Sequence, residues 1–179
     1  MIDKNIVLVG FMGTGKSTVG KILAKRLNRT WIDVDQKIEE NEKRKIAEIF
    51  EKDGEARFRQ LEKEMIKNIV LGQNLIITTG GGAVLDAENR AALKKNGFVI
   101  TLSATPETIF KRVRQSRHRP LLKGDLLKEI ERLLAEREPF YRESDCTFST
   151  DGKSAAEVAE IIEAVLTSEE ASEFGKDWF

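Results

Sequence analysis

Three groups of residues in this 179-residue chain have the types and spacing of phosphate and hydroxyl chemistry. The first is Gly10-Phe11-Met12-Gly13-Thr14-Gly15-Lys16-Ser17, followed at once by Thr18, which fits the G-x-x-x-x-G-K-[ST] phosphate loop. Glycines there let backbone N–H groups turn inward around a polyphosphate. Lys16 supplies a point charge for the β- and γ-phosphates, and the Ser17 hydroxyl can ligate Mg2+. The second group is Asp33-Val34-Asp35. In an extended segment residues two apart share a side, so these carboxylates are expected to face together. One can hold Mg2+, and the other can accept or orient a hydroxyl's proton. Asp35 also suits the N-cap of a following helix.

The third group joins arginines to glycines. Arg59 and Glu62 are three apart on a helical pattern, so the carboxylate can brace the guanidinium for a substrate anion, with Phe58 as an apolar wall. An ordinary surface ion pair has the same spacing and is worth little. Gly80-Gly81-Gly82 follows an apolar run directly, which argues for backbone approached closely by a ligand. Arg137 precedes Pro139 at an expected helix break, where its side chain could project into a cleft, although spacing alone favours a solvent-facing arginine. The most basic stretch, Lys111 to Arg119, would be a nucleic-acid patch in isolation, but few aromatics accompany it. It reads better as the end of a helix carrying Ile109, Phe110 and Val113. That helix leads into a lid whose arginines close over ATP phosphates, with His118 as a solvated lid residue.

The elements that must position these groups alternate in type. Apolar runs predict strands near 5–10, 31–34, 74–79, 97–102 and 145–149. Helical spacing predicts helices near 15–27, 55–71, 86–95, 105–115, 125–142 and 154–167, with one or two shorter ones between 36 and 52. Asp53-Gly54-Glu55 is a turn between two helices. Such βαβ alternation gives a parallel sheet, whose carboxyl edge is where open α/β sheets bind ligands. The loop Thr150-Asp151-Gly152-Lys153-Ser154 at that edge is expected to border the nucleotide base.

Composition narrows the partners. Lys+Arg and Asp+Glu are both 30, so no global field attracts nucleic acid or anionic membrane. A single cysteine, Cys146, cannot form an internal disulfide and reads as a small apolar filler. No apolar run approaches a membrane span. A cytoplasmic, monomeric, soluble enzyme is the expectation. One domain over 1–167 is expected, with a C-terminal tail over 168–179.

Taken in order, these stretches resemble shikimate kinase, a small P-loop kinase with a nucleoside-monophosphate-kinase-like fold. The resemblance runs from about Ile6 to Leu166. It rests on the phosphate loop, Asp33-Val34-Asp35, Ile46-Ala47-Glu48-Ile49-Phe50, Gly54-Glu55-Ala56-Arg57-Phe58-Arg59 with Glu62, Gly80-Gly81-Gly82-Ala83-Val84, Arg119-Pro120-Leu121-Leu122 and Arg137-Glu138-Pro139-Phe140-Tyr141. It implies a three-layer α/β fold: a central five-stranded parallel sheet flanked by helices, a substrate-binding helical segment over about 33–62 and a lid over about 112–124. It implies transfer of the ATP γ-phosphoryl to the 3-hydroxyl of shikimate, a small-molecule substrate, with ATP and Mg2+ as cofactors. Gly13, Thr14, Gly15, Lys16, Ser17, Thr18, Arg112 and Arg119 would hold the nucleotide, with Arg112 against adenine. Ser17 and Asp33 would serve the metal. Arg59 and Arg137 would grip the shikimate carboxylate, beside Asp35, Phe58 and the Gly80–Gly82 backbone. Lys16, Asp35 and Arg119 would carry the chemistry. The chain departs from the family pattern at Asn41-Glu42-Lys43-Arg44-Lys45, where relatives usually have a glycine turn, so a helix boundary there is open.

A gluconate or nucleoside-monophosphate kinase shares the fold, but the Arg59/Arg137 pair suits a monocarboxylate on a polyhydroxylated ring; a neutral substrate would leave two cations unpaired. A GTPase switch would need an N-K-x-D motif, which the chain lacks.

Overall fold

The computed structural model describes residues 3–114 and 125–168. The expectations for Arg119, His118, most of the lid and the tail beyond Ser168 lie outside the described residues. Five strands form one parallel sheet in the order β2-β3-β1-β4-β5. They are β1 (Asn5–Val9), β2 (Thr30–Asp33), β3 (Leu75–Thr78), β4 (Gly97–Ser103) and β5 (Cys146–Ser149). Among the described residues seven α-helices connect and flank them: α1 (Lys16–Arg26), α2 (Val34–Glu42), α3 (Ile46–Ile69), α4 (Ala87–Asn96), α5 (Pro106–Val113), α6 (Leu126–Tyr141) and α7 (Ala155–Thr167).

The central strand shows why both faces must be covered. Ile6 and Leu8 of β1 face α1 and α7, packing with Leu23, Val158 and Ile162. Val7 and Val9 point the other way, into a core shared with Ile49, Ile66, Ile109 and Ile130. Alternation sends successive side chains to opposite faces. Both faces are buried, so the strand reads as an unbroken apolar run. Asn5 ties the start of the sheet together: its Nδ2 donates to the Gly72 carbonyl at 2.8 Å, and its Oδ1 accepts from the Leu75 N–H at 3.0 Å.

Two local readings change in the folded chain, and one open boundary is set. The strand after α1 stops at Asp33, because Val34 already begins α2. The break in the 41–45 stretch falls at Lys43, which caps α2 with φ 55° in the left-handed region despite its side chain. The helix expected to break near Pro139 continues through it to Tyr141. The turn at Gly54 is present: its φ of 80° and ψ of 169° kink α3 where a non-glycine residue would be strained.

Candidate active site

The phosphate loop joins β1 to α1 at the carboxyl edge of the sheet. Gly13 and Gly15 have φ of 78° and 96°, conformations that favour glycine. Gly15 caps α1, and no side chain takes that role, so the helix begins on backbone N–H groups suited to anions. Lys16 is buried and donates to the Gly10 and Phe11 carbonyls at 2.8 and 2.9 Å. The Thr14 hydroxyl donates to the Phe11 carbonyl at 2.8 Å, while Ser17 and Thr18 are exposed.

Beside the loop lies a cavity of about 280 Å³ lined by Thr14, Gly15, Thr18, Arg112, Thr150 and Lys153. Arg112, near the end of α5, donates from Nη1 to the Gly13 carbonyl and to Thr150 Oγ1, and from Nη2 to the Thr150 carbonyl. These bonds tie the phosphate loop to the loop after β5 and hold the guanidinium at the cavity wall.

On the other side of the loop a cavity of about 480 Å³ gathers Met12, Asp35, Phe50, Phe58, Arg59, Glu62, Gly80, Gly81, Gly82 and Arg137. Glu62 is fully buried and accepts from Arg59 Nη1 at 2.7 Å. Burial pushes its carboxyl up while Arg59 pulls it down. Exposed Glu55 takes the other edge of the same guanidinium, accepting from Nε and Nη2 at 3.2 and 3.1 Å. Phe58 packs beneath, with the Arg59 guanidinium 5.2 Å from its ring centre and Phe50 4.8 Å away.

The glycine triplet has a separate steric reason at each position. A Cβ at Gly80 would lie 2.8 Å from Asp35 Oδ1 and 3.0 Å from Glu62 Oε1. At Gly81 it would meet the Met12 backbone nitrogen at 3.1 Å, and at Gly82 it would strike the Arg59 guanidinium. None of the three has positive φ. Close approach, not unusual backbone conformation, is what requires glycine here.

Asp33 and Asp35 are neighbours, but not through strand alternation. Asp33 ends β2 and caps α2, its Oδ1 accepting from the Gln36 N–H at 3.1 Å, so the cap is Asp33 and not Asp35. Asp35 lies in the first turn of α2, and its Oδ1 is buried without a hydrogen-bond partner among the described residues. Burial pushes the Asp35 carboxyl up to about 7; Glu62 and Asp33 add to the rise, and Lys16 and Arg59 oppose it. Asp33 Oδ2 accepts from Ser17 Oγ at 2.8 Å.

This arrangement of donor and acceptor cavities about one phosphate loop has close counterparts. The family model described as shikimate kinase matches residues 12–167. The chain belongs to the shikimate kinase family. A shikimate kinase of Persephonella marina is 46% identical over 159 residues, covering 89% of this chain and 96% of the relative. One from Thermodesulfovibrio yellowstonii is 48% identical over 160 residues, covering 89% and 92%. Among solved structures, a shikimate kinase from Acinetobacter baumannii in complex with shikimate superposes with a TM-score of 0.88 at 37% identity, covering 93% of this chain and 94% of that one. Family membership makes the chain an ATP-using kinase of the shikimate pathway to the aromatic amino acids.

For a shikimate kinase, one placement is at odds with spacing alone. Arg137 is not solvent-facing: it is 5% exposed, donates to the Gly81 carbonyl at 3.3 Å and lies 5.4 Å from the Phe11 ring centre. Its Nε is buried without a partner among the described residues. Tyr141, one turn further along α6, donates its hydroxyl to the same carbonyl at 2.7 Å. Burial holds that phenol up, at about 12, so it remains a donor. Sequence reasoning missed Tyr141 as a site residue; its i+4 spacing from Arg137 was the available signal.

Proposed function

We infer that the chain transfers the γ-phosphoryl group of ATP to the 3-hydroxyl of shikimate, giving shikimate 3-phosphate and ADP. One observation carries this reading: Arg59, Arg137 and Asp35 converge on Gly80–Gly82 in a single cavity whose wall includes Met12 of the phosphate loop. Two guanidinium groups suit a carboxylate, which planar N–H forks bind in paired fashion. Glu55, being exposed, can yield its edge of Arg59 to the substrate carboxylate, while buried Glu62 keeps the arginine in place. Asp35 accepts a hydrogen bond from the attacking hydroxyl and is the candidate base, although a loose transition state asks little of a base. The Gly80–Gly82 backbone borders the ring hydroxyls. The Acinetobacter relative, solved with shikimate, supports this choice of acceptor.

On the donor side Gly13, Thr14, Gly15, Ser17 and Thr18 surround the phosphates, and Arg112 lies against adenine. Lys16, with Arg119 of the lid, stabilises charge on the transferred group. Asp33 and Ser17 offer oxygen atoms only. No cluster of three or more His, Cys, Asp or Glu stands ready to cage a metal among the described residues. That donor set fits Mg2+, which keeps waters and phosphate oxygens in its shell. When bound, Mg2+ neutralises charge on the β- and γ-phosphates. The same reading makes 33–62 the substrate segment and 112–124 the lid of one domain over 1–167, active as a cytoplasmic monomer. No helix among the described residues is long and apolar enough to cross a membrane.

The direct test is a coupled assay of ADP release with MgATP. Shikimate is expected to raise turnover far above background, and gluconate and nucleoside monophosphates are not. Purified protein without shikimate-dependent ADP release would sink the assignment.

A further inference from the structure

Among the described residues Asp33 is held by three donors, of which one belongs to the phosphate loop. Its Oδ2 accepts from Ser17 Oγ and from Thr78 Oγ1, each at 2.8 Å, and its Oδ1 accepts from the Gln36 N–H at 3.1 Å. Thr78 is the last residue of β3 and the register partner of Asp33 in the parallel β2–β3 pair. It is fully buried after the apolar run Leu75-Ile76-Ile77, where a hydroxyl gains nothing from burial unless it is bonded. Its methyl group lies against α1: a Cβ on Gly20 would come 2.6 Å from Thr78 Cγ2. A β-branched side chain has few χ1 choices. With the methyl wedged at Gly20, Oγ1 is turned toward Asp33 at 2.8 Å, with the Ile32 carbonyl a longer-range acceptor at 3.5 Å.

We propose that Thr78 is a positioning residue for the metal-linked carboxylate. Its hydroxyl keeps Asp33 Oδ2 turned toward Ser17, so the Ser17 O–H points at the carboxylate and a Ser17 lone pair stays available to a divalent cation. A hydroxyl has one proton and two lone pairs, so Ser17 can serve both at once. Without the Thr78 hydroxyl, Oδ2 retains one donor, and the carboxylate turns about its broad terminal torsion. Groups that orient metal-linked ligands from behind are worth about 10- to 100-fold in metal affinity. This role rests on the reading of Ser17 and Asp33 as the Mg2+ side of the site.

The test is calorimetric titration of ADP binding at a series of Mg2+ concentrations, with Mn2+ binding to the ADP complex followed by electron paramagnetic resonance. Thr78→Val keeps the shape and removes only the donor. It is expected to raise the Mg2+ concentration for half-maximal enhancement of ADP binding by about tenfold. ADP affinity without Mg2+ and shikimate affinity stay at wild-type values, and Thr78→Ser recovers most of the loss. Thr78→Ala gives the same shift if the second methyl of valine, which takes the place of Oγ1, crowds Asp33 and the variant does not fold. Wild-type Mg2+ dependence in the folded variants, or a loss that serine does not recover, overturns the proposal. Wild-type ADP binding indifferent to Mg2+ would instead overturn the Ser17–Asp33 metal reading, and the role of Thr78 with it.

Discussion

At the scale of single residues, the larger cavity is lined by charges that are already paired with or close to one another. Arg59 is braced by a carboxylate with no exposure at all, so its direction is set before any substrate arrives. Asp35 has the opposite character: one of its oxygens is buried and uncommitted among the described residues, close against Gly80. Asp35→Asn preserves size while replacing an acceptor oxygen with a donor amide. It is expected to lower kcat by about 10²- to 10⁴-fold, the range for loss of a positioned acid–base group, and to leave the unfolding midpoint nearly unchanged. Steady-state kinetics beside thermal melting checks this; a shifted midpoint with unchanged kcat would mark Asp35 as structural.

At the scale of elements, residues 33–62 are built from α2 and the first part of α3, whose caps and kink are set by backbone geometry. Asp33 and Gly54 suit their tasks, one as a side-chain cap and the other as a kink at φ 80°. Lys43 does not. It takes a left-handed conformation at φ 55° and is exposed, a geometry that disfavours L-residues by roughly 1–2 kcal/mol. Glycine would remove that strain while giving back roughly 0.5–1 kcal/mol of unfolded-state freedom. Lys43→Gly is therefore expected to stabilise the protein by about 0.5–1 kcal/mol, measured as a higher urea midpoint at constant slope. α6 shows the converse: packing carries a helix through Pro139, and the turns around it bring Arg137 and Tyr141 to one carbonyl.

At the scale of the whole molecule, the phosphate loop divides two cavities. Arg112, Thr150 and Lys153 line the smaller one, and Arg59, Arg137 and Asp35 the larger. Parallel strands bring both to the same sheet edge, because each strand delivers its following loop there. Their separation predicts separable binding. Arg137→Ala is expected to weaken shikimate binding by a few kcal/mol, about the cost of losing a charge-assisted pair, with ADP affinity changed far less. Isothermal titration of each ligand decides it: equal weakening of both would mean that the core around Phe11 has been damaged.

Much of this was legible in the sequence because it is local. The phosphate loop, five strand runs and the Gly54 turn depend on neighbours a few residues away, and backbone sterics and side-chain period read those directly. The family resemblance added the site residues, since an ordered set of motifs specifies chemistry that spacing alone leaves open. What only the tertiary structure decided is which side chains leave water. Arg137 has the spacing of a surface arginine and is buried because Phe11 and the Gly81 carbonyl, more than fifty residues away in the chain, lie against α6. The pairing of Asp33 with Asp35 is a strand-to-helix corner where alternation predicts one continuous strand, because the Gln36 N–H donates to the Asp33 carboxylate, which caps α2 and starts it at Val34. Thr78 looks like the polar end of an apolar strand until β2 is laid beside it in register. Periodicity records which face a residue occupies; only the packed sheet says what stands opposite.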